Sequence, residues 1–169
     1  TNVNESPTAV ALSATSIAEN AAGASVGTLS TTDLDAVDSA TYSLSGTDAA
    51  SFELSGTTLK LRDSVSADYE TQAAYAVTVT ATDAGGLALS QAFTVSVTNV
   101  NEAPTAVAFT AVSPAENTTG ATVGTLATSD SDTDDTVTYT LSGPDAAYFE
   151  VSGSTLKFKD SVTTDFEEQ

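Results

Sequence analysis

Short segments of alternating apolar and polar residues, rich in β-branched side chains, recur along the chain. They cover residues 8–13, 25–31, 39–45, 51–54, 57–62, 75–80 and 93–97. A period of two residues is typical of strands with one buried face. Turn residues such as Ser45-Gly46 and Asp83-Ala84-Gly85-Gly86 separate the segments. About seven short strands in about a hundred residues predict an all-β fold, an Ig-like, Greek-key, antiparallel β-sandwich.

The sequence repeats itself at an offset of 97 positions, without insertions. The run that begins at Asn2 recurs from Asn99, and Asp68-Tyr69-Glu70 recurs as Asp165-Phe166-Glu167. A period of this length is that of one domain. We therefore expect two β-sandwich repeats, residues 1–100 and 101–169.

The second repeat lacks part of the pattern, because Gln72 corresponds to Gln169 and nothing in the sequence matches residues 73–97. Those residues contain two of the clearest strand signals. We expect one whole repeat and an incomplete second one, taken from a longer tandem array. Three outcomes stay open for the second sheet: strand donation by another molecule, disorder, or simple excision of the missing strands.

Composition excludes most catalytic chemistry. The chain has 23 acidic and 4 basic residues, a net charge of −19, and no His, Cys, Met or Trp. Zinc, haem and iron–sulfur ligand sets and the Cys–His and Ser–His nucleophiles are therefore missing, and we expect no enzyme. A glycosidase with paired carboxylates would also lack aromatic subsites. The acidic excess repels nucleic acid and anionic lipid, so neither is an expected partner.

Acidic residues gather at the ends of the predicted strands. Six of them lie there: Glu19, Asp33, Asp35, Asp68, Glu70 and Asp83. Alternate strand ends meet at one pole of a sandwich, and carboxylates at positions i and i+2 of an extended segment point the same way. Oxygen donors without nitrogen or sulfur favour Ca²⁺. The pattern predicts calcium sites.

Other acidic residues have simpler explanations. Asp48 and Asp145 precede Ala-Ala and an aromatic residue, so we predict that each caps one helical turn. Asp38 and Asp63 are expected to be ordinary surface residues.

The motifs resemble the calcium-binding motifs of cadherin repeats, in the form found in large secreted, cell-surface (RTX-type) bacterial adhesins. Such repeats carry an N-terminal Glu, a D-x-D, a D-R-E, an Asp after a long strand, and a D-x-N-D-N linker that leads into Pro. This chain shows, in the same order, Glu19-Asn20, Asp33-Leu34-Asp35, Asp68-Tyr69-Glu70, Asp83 and Asn99-Val100-Asn101-Glu102-Ala103-Pro104. The resemblance covers the whole chain.

The resemblance implies an extracellular module that binds several Ca²⁺ ions between successive repeats. The implied ligands are Glu19, Asp68 and Glu70 from the first repeat, Asn99, Val100 (through its carbonyl), Asn101 and Glu102 from the linker, and Asp130 and Asp132 from the second repeat. Asn99 and Asn101 replace the usual Asp, which lowers the ligand charge. Half-sites with weak or no calcium occupancy are expected from Asp33, Asp35 and Asp83 with Asn4, and from Glu116, Asp165 and Glu167.

The expected function is that of a calcium-stiffened spacer on a bacterial cell surface, with the neighbouring repeats as its partners. A Ca²⁺-dependent adhesion module, either homophilic or polysaccharide-binding, is the alternative. The chain has no Trp, the residue best suited to stack on sugars, which counts against the polysaccharide version.

Overall fold

The computed structural model of the chain describes residues 3–35 and 39–165. The chain divides into two compact units, Thr1–Val100 and Asn101–Gln169, called here the first and the second repeat. Asp38 and Glu167, named in the sequence analysis, lie outside the described residues.

The first repeat is a sandwich of two four-stranded sheets. One sheet has the order β1-β3-β6-β5, with β1 at Ala9–Leu12, β3 at Ser25–Thr32, β5 at Phe52–Ser55 and β6 at Thr58–Leu61. The other has the order β2-β8-β7-β4, with β2 at Ser16–Ala18, β4 at Thr41–Ser45, β7 at Ala74–Thr82 and β8 at Ala88–Thr98. The prediction of an all-β sandwich is confirmed.

The alternating pattern places the core between the two sheets. In β7 the residues Tyr75, Val77, Val79 and Ala81 are buried, while their sequence neighbours point outward. Tyr75 packs edge-on against Phe52 of β5, with 5.7 Å between the ring centroids. Burial of each large apolar side chain contributes about 1.5–3 kcal/mol, so β7 supplies much of the stability of this repeat.

The second repeat has one four-stranded sheet in its described residues, with the order β11-β12-β10-β9. Its strands are β9 (Ala106–Ala111), β10 (Thr122–Ser129), β11 (Phe149–Ser152) and β12 (Thr155–Phe158). This order repeats the first sheet of the first repeat. Residues 138–142, which correspond to β4, form no strand, because a strand needs a hydrogen-bonded neighbour and the sequence has no counterpart of β7.

The predicted helical turns are present as 3-10 turns at Ala49–Ser51 and Ala146–Tyr148, but the capping role predicted for Asp48 and Asp145 is wrong, because neither side chain makes a capping hydrogen bond. Asp48 Oδ2 accepts a hydrogen bond of 2.7 Å from the N–H of Ala76 in β7. The N–H of Asp48 donates to the carbonyl oxygen of Ala76 at 3.1 Å. Asp48 is therefore joined to β7 by two hydrogen bonds, and its side chain does not cap its own turn.

Replacement of Asp48 by alanine is expected to lower the free energy of unfolding of the first repeat by about 1 kcal/mol, because β7 loses a charged hydrogen-bond acceptor near the surface. Urea denaturation followed by tyrosine fluorescence measures this change. The matched control is Asp145→Ala, at the corresponding position of the second repeat, which is expected to cost much less. Equal losses in the two variants would contradict the role assigned to Asp48.

Candidate metal centre

Three carboxylates of the first repeat come together beyond its strand ends. Glu19, Asp68 and Glu70, called here the Glu19 cluster, each place one oxygen within 4.8 Å of the others. Glu19 follows β2 directly and is only 3% exposed, whereas Asp68 and Glu70 lie in the loop that leads to β7. Carboxylates this close repel one another unless a cation or proton compensates them.

Hydrogen bonds hold Glu19 in place and bring the segment after β8 to it. Its Oε2 accepts from the N–H of Tyr69 at 2.8 Å, and its Oε1 accepts from the N–H of Val100 at 2.7 Å. The amide nitrogen of Asn99 donates to Glu70 Oε1 at 3.2 Å. The backbone turns sharply at Asn20, where φ is 62°, a value that Asn tolerates better than most residues.

The first repeat has a second acidic group, the Asp35 cluster, which consists of Asn4, Glu5, Asp33, Asp35 and Asp83. The N–H of Glu5 donates to Asp35 Oδ2 at 2.8 Å, and the N–H of Asp35 donates to Asp33 Oδ1 at 3.0 Å. Asn4 donates to Asp83 Oδ2 at 3.0 Å. Asp33 and Asp83 line one open pocket of about 280 Å³, and Asp33 Oδ2 is buried without a hydrogen-bond partner among the described residues.

Glu5 belongs to this cluster although the sequence analysis did not include it. Desolvation and the nearby charges of Asp35 and Asp33 raise its pKa above the usual range. The 97-residue offset, which places Glu5 on the candidate ligand Glu102, is the sequence signal that identifies it.

The second repeat contains the same arrangement, the Asp132 cluster of Glu102, Asp130 and Asp132. The N–H of Glu102 donates to Asp132 Oδ2 at 2.6 Å, and the N–H of Asp132 donates to Asp130 Oδ1 at 3.2 Å. The amide of Asn101 donates to the carbonyl oxygen of Glu102 at 2.9 Å. The two bonds to Asp132 and Asp130 reproduce those of Glu5, Asp33 and Asp35, so this part of the geometry is a property of the repeated sequence. The bond of Asn101 differs from that of its counterpart Asn4, which donates to Asp83.

The prediction that the paired carboxylates lie in extended segments is wrong. Residues 33–35 and 68–71 form bends and turns, in which Asp33 accepts from the N–H of Asp35 and Asp68 accepts from the N–H of Thr71. Short Asp side chains bond readily to backbone N–H groups two or three residues later. The carboxylates are brought together by these turns rather than by strand alternation.

Two of the three predicted residues of the C-terminal half-site, Glu116 and Asp165, lie within the described part of the second repeat. Glu116 precedes Asn117, whose φ of 55° repeats the turn at Asn20. Thr164, next to Asp165, donates through its hydroxyl to the carbonyl oxygen of Ala115 at 2.6 Å.

The basic residues do not compensate these clusters. Four charged residues are buried in the described part of the chain: Glu19, Asp35, Asp83 and Asp132. All the salt bridges found there involve Lys60 or Lys157, whose partners are Glu53, Asp63, Glu150 and Asp160. Buried charges are normally paired or bound to metal, and these clusters offer only oxygen donors. The residues present therefore fit Ca²⁺.

Comparison with known proteins decides the family. The family model of the cadherin domain matches residues 13–98 of the chain. The chain belongs to the cadherin domain family. No curated protein matches the cadherin chain described here.

Several solved cadherin structures have the same fold. Human protocadherin-24 EC1-2 superposes with a TM-score of 0.74 at 21% identity, over 99% of this chain and 82% of that one. A second crystal form gives 0.67 at 24% identity, over 94% and 80%. The protocadherin gammaB7 EC3-6 cis-dimer gives 0.68 at 22% identity, over 98% of this chain and 41% of that one.

Membership of the cadherin family identifies the chain as an extracellular module of the adhesion type, and cadherin domains are not enzymes. Cadherin domains generally bind Ca²⁺, in agreement with the donor chemistry of the clusters. The comparisons do not support glycan binding. In the part of the chain that the structure describes, no helix has the length and apolar character needed to span a membrane.

Proposed function

We propose that this cadherin chain is a spacer module of a large extracellular adhesin, stiffened by Ca²⁺ bound around the linker between its repeats. The observation that carries the proposal is the pair of backbone bonds that flank the linker. Val100 donates to Glu19 in the first repeat, and Glu102 donates to Asp132 in the second. Only Asn101 separates Val100 from Glu102, so the linker backbone is attached to an acidic cluster on each side.

The proposed ligands are the two clusters and the linker between them. The Glu19 cluster and the Asp132 cluster supply carboxylates, Asn99 and Asn101 supply amide oxygens, and Val100 supplies its carbonyl oxygen. Bound Ca²⁺ would neutralise the carboxylates and join both repeats through shared ligands. Extracellular calcium modules typically bind with Kd of about 10⁻⁴–10⁻³ M, so such a site fills outside the cell.

The parent protein is proposed to be an RTX-type adhesin on a bacterial surface, where long arrays of such repeats provide reach. The absence of Cys supports this assignment, since a repeat held together by metal and core packing needs no disulfide. The charge of −19 also supports it, because bound Ca²⁺ would neutralise part of it.

Small-angle scattering with Ca²⁺ and with EGTA tests the stiffening. We expect Ca²⁺ to narrow the distribution of molecular dimensions and chelation to give the scattering of two units joined by a hinge. The matched variants are Asp130→Asn, which removes a proposed linker ligand, and Asp33→Asn, which makes the same change in the Asp35 cluster. Asp130→Asn is expected to weaken the calcium response, whereas Asp33→Asn leaves it intact. Identical profiles with and without Ca²⁺ would refute the spacer function.

Adhesion by self-association is the second candidate function, favoured by the similarity in fold to the protocadherin gammaB7 cis-dimer. Sedimentation velocity over a range of protein concentrations separates the two candidates. A dimer that forms only with Ca²⁺ would support adhesion, and a monomer under all conditions would leave the spacer function alone.

A further inference from the structure

Two strands of the first repeat, β2 and β8, run side by side in the same direction. Their pairing is parallel, with Ser16 opposite Ser96 and Ala18 opposite Thr98. In the described residues β1 alone precedes β2, and β8 is the last strand of the repeat. Tension on the two ends of the repeat therefore pulls β2 and β8 in opposite directions along their common axis. All bonds between them are loaded together, whereas bonds between strands that are peeled apart break one after another.

Side chains strengthen this short pairing. The hydroxyl of Ser96 donates to the carbonyl oxygen of Thr15 at 3.2 Å, and the N–H of Ser96 donates to the same oxygen at 2.9 Å. The hydroxyl of Thr98 donates to the carbonyl oxygen of Ile17 at 3.2 Å. Ile17 is 4% exposed and packs in one core cluster with Val97 of β8. The backbone, two hydroxyls and the core thus all hold β2 to β8.

The bonds between the two strands continue to the point where the chain leaves the repeat. The N–H of Glu19 donates to the carbonyl oxygen of Thr98 at 3.2 Å, and Glu19 Oε1 accepts from the N–H of Val100 at 2.7 Å. A bond to an ionised acceptor is stronger than one between neutral groups. The residue that follows β2 is therefore joined to the segment that follows β8.

The strand β1 also lies on the path of tension, but it is not joined in the same way to the strand from which the chain leaves. It pairs with β3, at the edge of the other sheet. Release of β1 alone leaves β2 bonded to β8. Release of β2 separates the entering chain from the leaving chain and uncovers Ile17.

We propose that the pair β2–β8 is a mechanical clamp, the element whose rupture sets the rate at which the first repeat unfolds under tension. The purpose of the clamp rests on the proposed spacer function, since a spacer that extends an adhesin carries the load of attachment. The hydroxyls of Ser96 and Thr98 belong to the clamp, because their bonds to β2 must break before the strands can slide.

Single-molecule force spectroscopy at constant force, with handles at the two ends of the whole chain, tests the proposal. Thr98→Val removes the hydroxyl bond to Ile17 and keeps the branched shape of the side chain. We expect the first repeat to unfold about fivefold faster under force, which corresponds to about 1 kcal/mol, the contribution of one neutral hydrogen bond that breaks before the transition state. The first repeat is recognised by its longer release of chain, Thr1–Val100 against Asn101–Gln169.

Thr80→Val is the matched control, because it makes the same change in the same sheet. It removes the 2.8 Å bond between the hydroxyls of Thr80 and Ser90, which joins β7 to β8 away from β2. Urea denaturation should show similar small losses of stability in the two variants. Only Thr98→Val should unfold faster under force, a difference that a merely structural role would not produce.

Three results would overturn the proposal. They are an unchanged rate in Thr98→Val, an equal acceleration in Thr80→Val, and a faster rate in Thr8→Val alone. Thr8 donates to the carbonyl oxygen of Thr32 at 3.1 Å, so the third result would place the resistance at β1. All rates are compared at one Ca²⁺ concentration, so the comparison needs no calcium response. Failure of Ca²⁺ to stiffen the chain in scattering would refute the spacer function without deciding the clamp.

Discussion

Addition of about 10 mM Ca²⁺ is expected to raise the Tm of the chain by roughly 10–20 °C over its value in EGTA. A ligand at 100 times its Kd stabilises the folded state by about 2.7 kcal/mol per site. In a domain of this size, each kcal/mol raises Tm by about 4–8 °C. None of the salt bridges found in the described residues places a basic side chain at the clusters, so nothing in them relieves the repulsion between the carboxylates. The calcium-free protein therefore starts from a destabilised state. Differential scanning calorimetry measures the shift.

Glu70→Gln separates specific binding from general screening of a −19 charge. Glutamine keeps an oxygen that can accept from Asn99, as Glu70 does, but it removes one charge from the Glu19 cluster. We expect a smaller calcium-induced rise in Tm and an unchanged or higher Tm in EGTA. Asp63→Asn removes one charge beside Lys60, outside the clusters, and should leave the rise intact. An equal rise with Mg²⁺ would contradict the assignment, because Mg²⁺ retains its water shell.

Most of the fold could be predicted because strand alternation survives in the sequence wherever one face is buried. The strand β2 could not, since three residues, Ser16–Ala18, are too few to show a period. Its pairing with β8 is parallel and joins residues some 80 positions apart, Ser16 with Ser96. Such a contact depends on tertiary packing and leaves no local signal.

The geometry of the site was harder to predict than the fold, because it depends on individual hydrogen bonds of short polar side chains and not on a repeating pattern in the sequence. The candidate carboxylates could be named from their order along the chain. That Asp33 and Asp35 are joined by a turn depends on a side-chain bond that competes with the extended backbone. The hydrogen bond between Asp48 and Ala76 joins residues 28 positions apart. The two alanines that follow Asp48 in the sequence therefore predicted the helical turn but not this bond.

Replacement of Leu59 by alanine is expected to lower the free energy of unfolding of the first repeat by about 3 kcal/mol, because a fully buried leucine leaves a cavity as well as lost transfer energy. Leu59 is 0% exposed and packs with Phe52 and Val77. Urea denaturation in EGTA, followed by circular dichroism, measures the loss.

Leu156→Ala is the matched control for this change, since Leu156 holds the same position in β12 that Leu59 holds in β6. Leu156 is half-buried and borders an open pocket, so its truncation removes fewer contacts and enlarges a space that water already reaches. We expect a cost of about 1 kcal/mol or less. Equal costs at the two positions would contradict the expectation that the half-buried Leu156 contributes less to the core of its repeat than the fully buried Leu59 does.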